Sequence, residues 1–441
     1  MGNTREELVD RFFVLSGEGL VQSARGVGIP NADLDTRDKC TITRELIVDR
    51  KETRDCRDEF LTGRKIRTRY ARITLNYTEL TPHIIHRWSA PFLGAAVAPT
   101  GTPANEVQSL AVSGMSAGDT LTLAMTLEGR TVTTEEIVYP FTAAEIQAAL
   151  VAPGMLFIQP GDAVVSGTGP YVVTFPQTGR LGRANLPILV AVVSAGSVTP
   201  SQSTPGEQRF HVATRSTSRD KLLNTFALGW DDQPTRVEKY IDYAVESMAP
   251  TLSLDGDVGM AVTLIGPWAH KSIEEDFDIP DCVNIDPLPV SDCRVIIDGT
   301  WQSEDINTLT ATVNDNIPVD RISSFGFDGI EMQRTRRGPQ PSHQITAGLF
   351  GSEIDSIYAK AADERTAEPV SFLIHFGMPG NRCSWVFDKT EIAFQNNPLG
   401  QAGAADVSVI QIEGTPVRNG AATPFDVEGY LEQSTIFIDT P

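Results

Sequence analysis

The sequence predicts a mainly β fold with a duplicated unit, each copy running strands, helix, strands, and a small β-rich module inserted into the first copy. Three observations predict it. Two stretches resemble each other, VEKYIDYAVESMAPTLSLDGDVGMAVTLIGP at 237–267 and SWVFDKTEIAFQNNPLGQAGAADVSVIQIEG at 384–414. Each holds an alternating strand, a proline, a glycine-rich turn and a second alternating strand ending in glycine. Pro250 to Gly266 spans sixteen positions, and so does Pro398 to Gly414. Second, one convincing helix stands upstream of each stretch. Third, residues 104 to 206 carry seven acids, three arginines and no Lys, His or Cys, a sharp drop in charge density.

In chain order, residues 1–36 read as an N-terminal extension. The first unit is discontinuous, 37–102 and 207–267. Its opening stretch, TITRELIVDRKETRDCRDEFLTGRKIRTRYARITL, alternates like strand yet is crowded with charge. It reads as strands at 41–49 and 65–77 joined by a charged loop at 50–64. Thr81 is an N-cap with Pro82 at the first helical position, followed by HIIHRW, which predicts a helix over 81–94. Residues 103–206 are the inserted module, and 268–441 the second unit. Its strands start near Cys293 with Val295-Ile296-Ile297. Its helix is capped by Ser352, with Ile354, Ile357 and Tyr358 as the apolar stripe.

Within the module, TLTLAMTL at 120–127 places Leu121, Leu123, Met125 and Leu127 on one face of a strand. Thr142-Ala-Ala-Glu145 is a capping box, and Phe141 and Ile146 occupy the staple positions. Ile146, Ala149 and Leu150 form one helical face, which Pro153-Gly154 ends. Tyr171–Phe175 and 188–193 supply further strands.

The formal net charge is -21. Such a surface disfavours tight nucleic-acid binding, which needs cations to replace phosphate counterions. The charge is polarised. Residues 36–103 carry thirteen Lys and Arg against eight Asp and Glu, whereas 207–441 carry seventeen against thirty-six. A basic block and an acidic block suit head-to-tail self-association. No run of 18 apolar residues occurs, and the N-terminal stretch has acids where a signal peptide needs a basic start, so no membrane partner and cytoplasmic synthesis are expected. Five cysteines with no CxxC spacing read as free thiols.

Chemical motifs dissolve under their own requirements. His83 and His86 are three apart on a helix without an HExxH pattern. Asp255-Gly256-Asp257 and Asn314-Asp315-Asn316 lack the spaced oxygens of a calcium hand, and turn chemistry explains them. Gly114-Met115-Ser116-Ala117-Gly118 matches a nucleophile elbow, but a strand follows where a helix is required. No catalytic, cofactor-binding or metal site is expected, and no enzyme.

The block TRELIVDRKETRDCRDEFLTGRK at 43–65, with the 81–94 helix and the closing strand 243–266, resembles the major tail tube proteins of long-tailed bacteriophages, in forms with two tube folds per chain. The resemblance covers roughly 37–102 and 207–440. It implies two tandem β-sandwich folds, each with a flanking helix, whose sheets join neighbouring copies into a barrel. Homotrimeric, pseudo-six-fold rings would stack into a virion tail tube, with tape measure, terminator and baseplate proteins as further partners. Double-stranded DNA would pass on ejection without specific binding, kept off the wall by acidic lumen residues. The module, through TAAEIQAAL at 142–150, resembles an Ig-like decoration of bacterial and phage surface proteins. Alternatives are a hub, neck or baseplate component of the same fold, or a carbohydrate-binding adhesin acting through the module. The candidates for the contact between rings are Arg50, Lys51, Arg54, Arg57 and Arg64 in the charged loop. A second basic stretch adds Arg334, Arg336 and Arg337.

Overall fold

A computed structural model describes residues 12–16, 22–54, 61–93, 104–206, 211–213, 220–253, 258–297, 300–301, 306–317, 323–326, 329–332, 342–349, 370–378, 383–394, 410–416 and 434–436, with short breaks inside several of these stretches. The fold is mainly β, in antiparallel sheets with two α-helices among the described residues.

The largest sheet has nineteen strands, and one pairing circuit occurs in it twice. In the first unit the path of neighbours is Thr36–Lys39, Phe12–Ser16, Asn224–Trp230, Gln233–Ser253, Gly259–Pro267, Leu61–Tyr77 and Thr41–Arg54. In the second it is Thr300–Trp301, Arg294–Ile297, Val370–Phe376, Cys383–Phe394, Ile410–Pro416, Ser342–Leu349 and Ile306–Asn314. The same circuit position is filled by the same chain-order element each time. A further strand closes each circuit: Lys271–Glu274 pairs with the start of 233–253, and Ser434–Ile436 with the start of 383–394.

Even the irregularities repeat. The register slips between Asn224↔Tyr243 and Phe226↔Tyr240, and again between Val370↔Thr390 and Phe372↔Phe387. Each slip puts an extra residue on the long strand, a bulge that bends it. In the first unit the bulge places Asp242 at φ 66, and its carboxylate accepts a hydrogen bond from the Gly26 amide at 2.8 Å.

Several sequence boundaries move. Phe12–Ser16, read as part of an extension, pairs on both sides and buries Phe13, Val14 and Leu15. The strands around the charged loop run further than expected, through Arg54 and from Leu61. The ladder continues through this stretch, with Lys51 opposite Lys65 and Glu52 opposite Arg64. The two long stretches do form antiparallel pairs. The shared bulge, however, matches Ile265 with Thr415, so the structural alignment differs by two residues from the one that superposed Gly266 on Gly414.

Pro250 lies inside its strand rather than after it, paired with Met260. On the other side the partners skip from Met248↔Val313 to Thr251↔Thr310. A proline has no N–H to give that ladder, so this is where it does least harm.

The helix Pro82–Leu93 buries Ile84, Ile85, Trp88 and Phe92 in the main core, and the Trp88 indole donates to the Tyr77 hydroxyl at 2.9 Å. Phe226, Tyr240 and Tyr243 pack beside it with ring centroids 5.1–5.4 Å apart. The expected helix after Ser352 lies outside the described residues.

Residues 104–206 form two four-stranded sheets of their own, over a separate core. The strands Thr120–Leu127 and Tyr171–Phe175 fall where the alternation put them, while the 188–193 strand begins at Val190. The helix Ala143–Leu150 carries the reciprocal capping box, and Phe141 and Ile146 are buried as a staple requires. Gly114 and Gly118 adopt positive φ in a turn between strands, which disposes of the nucleophile elbow.

Candidate functional site

The two units meet through several strand pairs, of which the longest is the one built on the 233–253 strand; the shorter ones join 211–213 to 434–436 and Ile330 to Thr68. Ser247↔Asn314, Met248↔Val313, Thr251↔Thr310, Leu252↔Leu309 and Ser253↔Thr308 join the 233–253 strand of the first to the 306–314 strand of the second. Met248, Leu252, Leu309 and Val313 are buried there. Beside this junction Lys221 reaches across units. Its ammonium lies 2.5 Å from the buried Asp315 carboxylate and donates to the Phe92 carbonyl at 2.6 Å.

The circuit positions that pair in this longest junction recur once more in the duplicated sheet, as two matching edges. The equivalent of 306–314 in the first unit is 41–54, whose described partner is the 61–77 strand alone. The equivalent of 247–248 in the second unit is Ala393-Phe394. These pair with Glu413 and Ile412 on one side and have no partner on the other among the described residues.

The registers also say which residues match. Ile73 and Ile345 hold the same place, opposite Leu264 and Gly414. It follows that Arg44 matches Ala311 and Leu46 matches Val313. Val313 is 1% exposed against Met248, whereas Leu46 is 46% exposed on its open edge. The same circuit position is thus covered in one unit and exposed on the described edge of the other.

Behind this edge stands an ion cluster. Arg44 Nη1 lies 2.6 Å from Glu238, and Lys271 Nζ lies 2.8 Å from the same carboxylate. Tyr240 donates its hydroxyl to Glu238 at 2.7 Å. Burial raises the Glu238 pKa, but the hydrogen bonds from Lys271 and Tyr240 and the charges of Arg44 and Lys271 outweigh it and hold the carboxyl below its ordinary value.

The face of the sheet turned away from the core is rich in hydroxyls. Thr43, Thr74, Thr263, Ser247 and Asn314 stand in one row across five strands. Thr251, Thr310 and Thr346 form another. Thr74 and Thr263 hydroxyls lie 3.2 Å apart. The ionisable residues of the first-unit part are tied to one another. Arg72 makes two hydrogen bonds to Glu246, at 2.6 and 3.0 Å, and lies 3.5 Å from Glu45. The hydrogen bond to Glu246 raises the Arg72 pKa further. The side chains named in these two rows are neutral, and Glu413 stands next in line after Thr346.

Of the predicted contact residues, Arg50, Lys51 and Arg54 lie on the 41–54 strand and Arg64 on the 61–77 strand, not in a loop. They are thus gathered on one long two-stranded arm, with Lys51 opposite Lys65. The hairpin 323–332 of the second unit reaches this arm, Ile330 pairing in parallel with Thr68. Arg57, Arg334, Arg336 and Arg337 lie outside the described residues.

No group of three or more potential metal ligands occurs among the described residues. Cys40, Cys293 and Cys383 are buried and form no disulfide, and burial pushes the Cys40 and Cys293 thiols up to about 12. Asn314-Asp315-Asn316 is a turn, with the Asn316 amide donating to Asn314 Oδ1 at 2.8 Å. Sequence reasoning missed Leu46, Arg44 and Lys221, whose roles depend on partners far away in the chain. Among the described residues no helix is long and apolar enough to cross a membrane, which leaves strand-spanning proteins unaddressed. No protein-family model matches the chain, and no curated protein matches it.

Proposed function

We propose that this chain is a structural virion protein that polymerises into stacked rings, forming the tail tube through which a long-tailed bacteriophage delivers its DNA. The observation that carries the reading is the pair of matching open edges on a duplicated sheet. The internal junction is a worked example of how one unit takes the next. An edge built alike and left open invites a second copy, and closing the ring removes both edges.

In this reading the 41–54 edge of one copy lies antiparallel to 393–394 of its neighbour, Leu46 opposite Phe394 and Ile47 opposite Ala393. Leu46 is already about half buried, so covering the rest adds on the order of 1 kcal/mol per contact, repeated around the ring. The hydroxyl rows line the inside. They hydrate the wall without offering cations, so a polyanion gains no counterion release by staying. The basic arm carrying Arg50, Lys51, Arg54 and Arg64 then faces the acidic remainder of the next ring.

The test is a cysteine pair, Leu46→Cys with Phe394→Cys, with Cys56 and Cys282 replaced by serine. Directly opposed strand residues lie within disulfide reach. Oxidation should yield covalent oligomers that stop at the ring size, and negative-stain microscopy should show rings or tubes. Leu46→Cys with Glu391→Cys, displaced by roughly 10 Å along the strand, should not cross-link. Monomers under all conditions would overturn the function. Tubes with no cross-link in the first pair would overturn only the register.

A further inference from the structure

We propose that the 104–206 module is a brace that holds the two tandem units in a fixed relation, a role beyond that of a surface decoration. The module is covalently attached to the first unit, after the helix that ends at Leu93. Its core nevertheless includes a residue of the second unit. Met378, 4% exposed, belongs to the same buried cluster as Met155, Phe157 and Ile158 of the module.

A second contact adjoins it. The Arg294 guanidinium, 2% exposed, sits 5.6 Å from the centroid of the Phe157 ring and donates to the Met378 sulfur. A cation held over an aromatic face and out of water depends on that face being there. Both Arg294 and Met378 are on the second unit's own framework: Arg294 pairs with His375, and Gly377 at φ 101 turns the chain into Met378. This seat is therefore built from one unit's strands and a loop that belongs to the other's insertion.

The module's own two ends are held together. Where the chain enters and leaves the module, the buried Glu106 carboxylate accepts from Gln108, from Gln202 and from the Gly206 amide, at 2.6–3.0 Å. Beyond that point Lys221 binds Asp315 of the second unit and the Phe92 carbonyl of the first unit's helix. The module thus starts from one unit and rests on the other, with a polar clasp closing its own ends and an apolar seat on the second unit. Interfaces between domains default to relative motion unless they are apolar and well packed. This one has the packing to resist it.

The experiment measures distances between spin labels on Glu135→Cys in the module and Glu79→Cys in the first unit. Both positions are exposed. Cys56 and Cys282 are replaced, and labelled protein is diluted with unlabelled. The original seat should give one narrow distance distribution. Phe157→Ala should widen it severalfold, and Met378→Ala, made from the opposite side with the module's own residues untouched, should widen it too. Circular dichroism checks that each variant keeps its strands. A broad distribution in the unmodified seat, or narrow distributions in both variants, overturns the brace.

Discussion

The first and second units run the same strand circuit, yet they fill one matching position with opposite chemistry. In the first unit Arg44, Glu238 and Lys271 form an ion cluster at the edge of the core. The shared bulge places Ala311 where Arg44 stands and Trp385 where Glu238 stands, and both are fully buried. The difference follows from what lies next door. The second unit's strand 306–314 is covered by the first unit, so its layer is apolar throughout. The first unit's strand 41–54 is an edge among the described residues, where charges keep access to water. Neighbours decide the side chains, and the backbone ladder with its bulge decides the fold.

The largest effect should come from breaking the tie between the units. Lys221→Met leaves the Asp315 carboxylate buried without its cation, and removing one partner of a buried pair costs about 3–5 kcal/mol. We expect a fall of that size in chemical-denaturation stability. A change of under about 1 kcal/mol, typical of exposed pairs, would mean that the pair stays hydrated and does not fasten the units.

Next in size is a direct contrast of the matching edges. Met248→Ala removes a fully buried side chain from the internal junction, for about 2–5 kcal/mol. Leu46→Ala at the open edge should change monomer stability by no more than about 0.5 kcal/mol yet weaken assembly, read by sedimentation. Equal losses of stability would show that Leu46 is already covered within one chain, and the equivalence of the two edges would be lost.

How much of this the sequence displayed depended on the range of each interaction. The module was legible, because its strand alternation and its capping box are written within eight residues or fewer. The existence of paired strands at 237–267 and 384–414 was legible for the same reason. The circuit was not. The 61–77 strand finds its partner at 259–267, and Phe12–Ser16 finds one at Asn224–Trp230. Four apolar residues and a serine with no clear period give no sign of such a partner. Pro250 misled because a proline ends most strands; here a gap in the ladder accommodates it. The basic arm was seen as a loop because a dense run of charge reads locally as solvated loop, whereas its ladder depends on a partner strand's register. Leu46 lay inside a strand the sequence did reveal, but its exposure depends on the strand's place at the edge of the sheet, which no local pattern encodes.

The smallest effect tests the ion cluster that sets the two units apart. The Glu238 carboxyl is held below its ordinary value in the folded chain. A depressed folded pKa contributes stability that is complete above the unfolded value, near about 4.3 for a glutamate, and is lost as the pH falls through the folded value. Lys271→Met removes the hydrogen bond and charge that lower it, leaving Arg44 and Tyr240 as partners. The variant should therefore lose a small part of its stability at neutral pH and converge on the unmodified protein as the pH drops below about 4. Parallel pH profiles that never converge would assign the loss to packing of the Lys271 stem over Trp268 and Tyr240, 5.2 and 5.8 Å from its ammonium, rather than to Glu238.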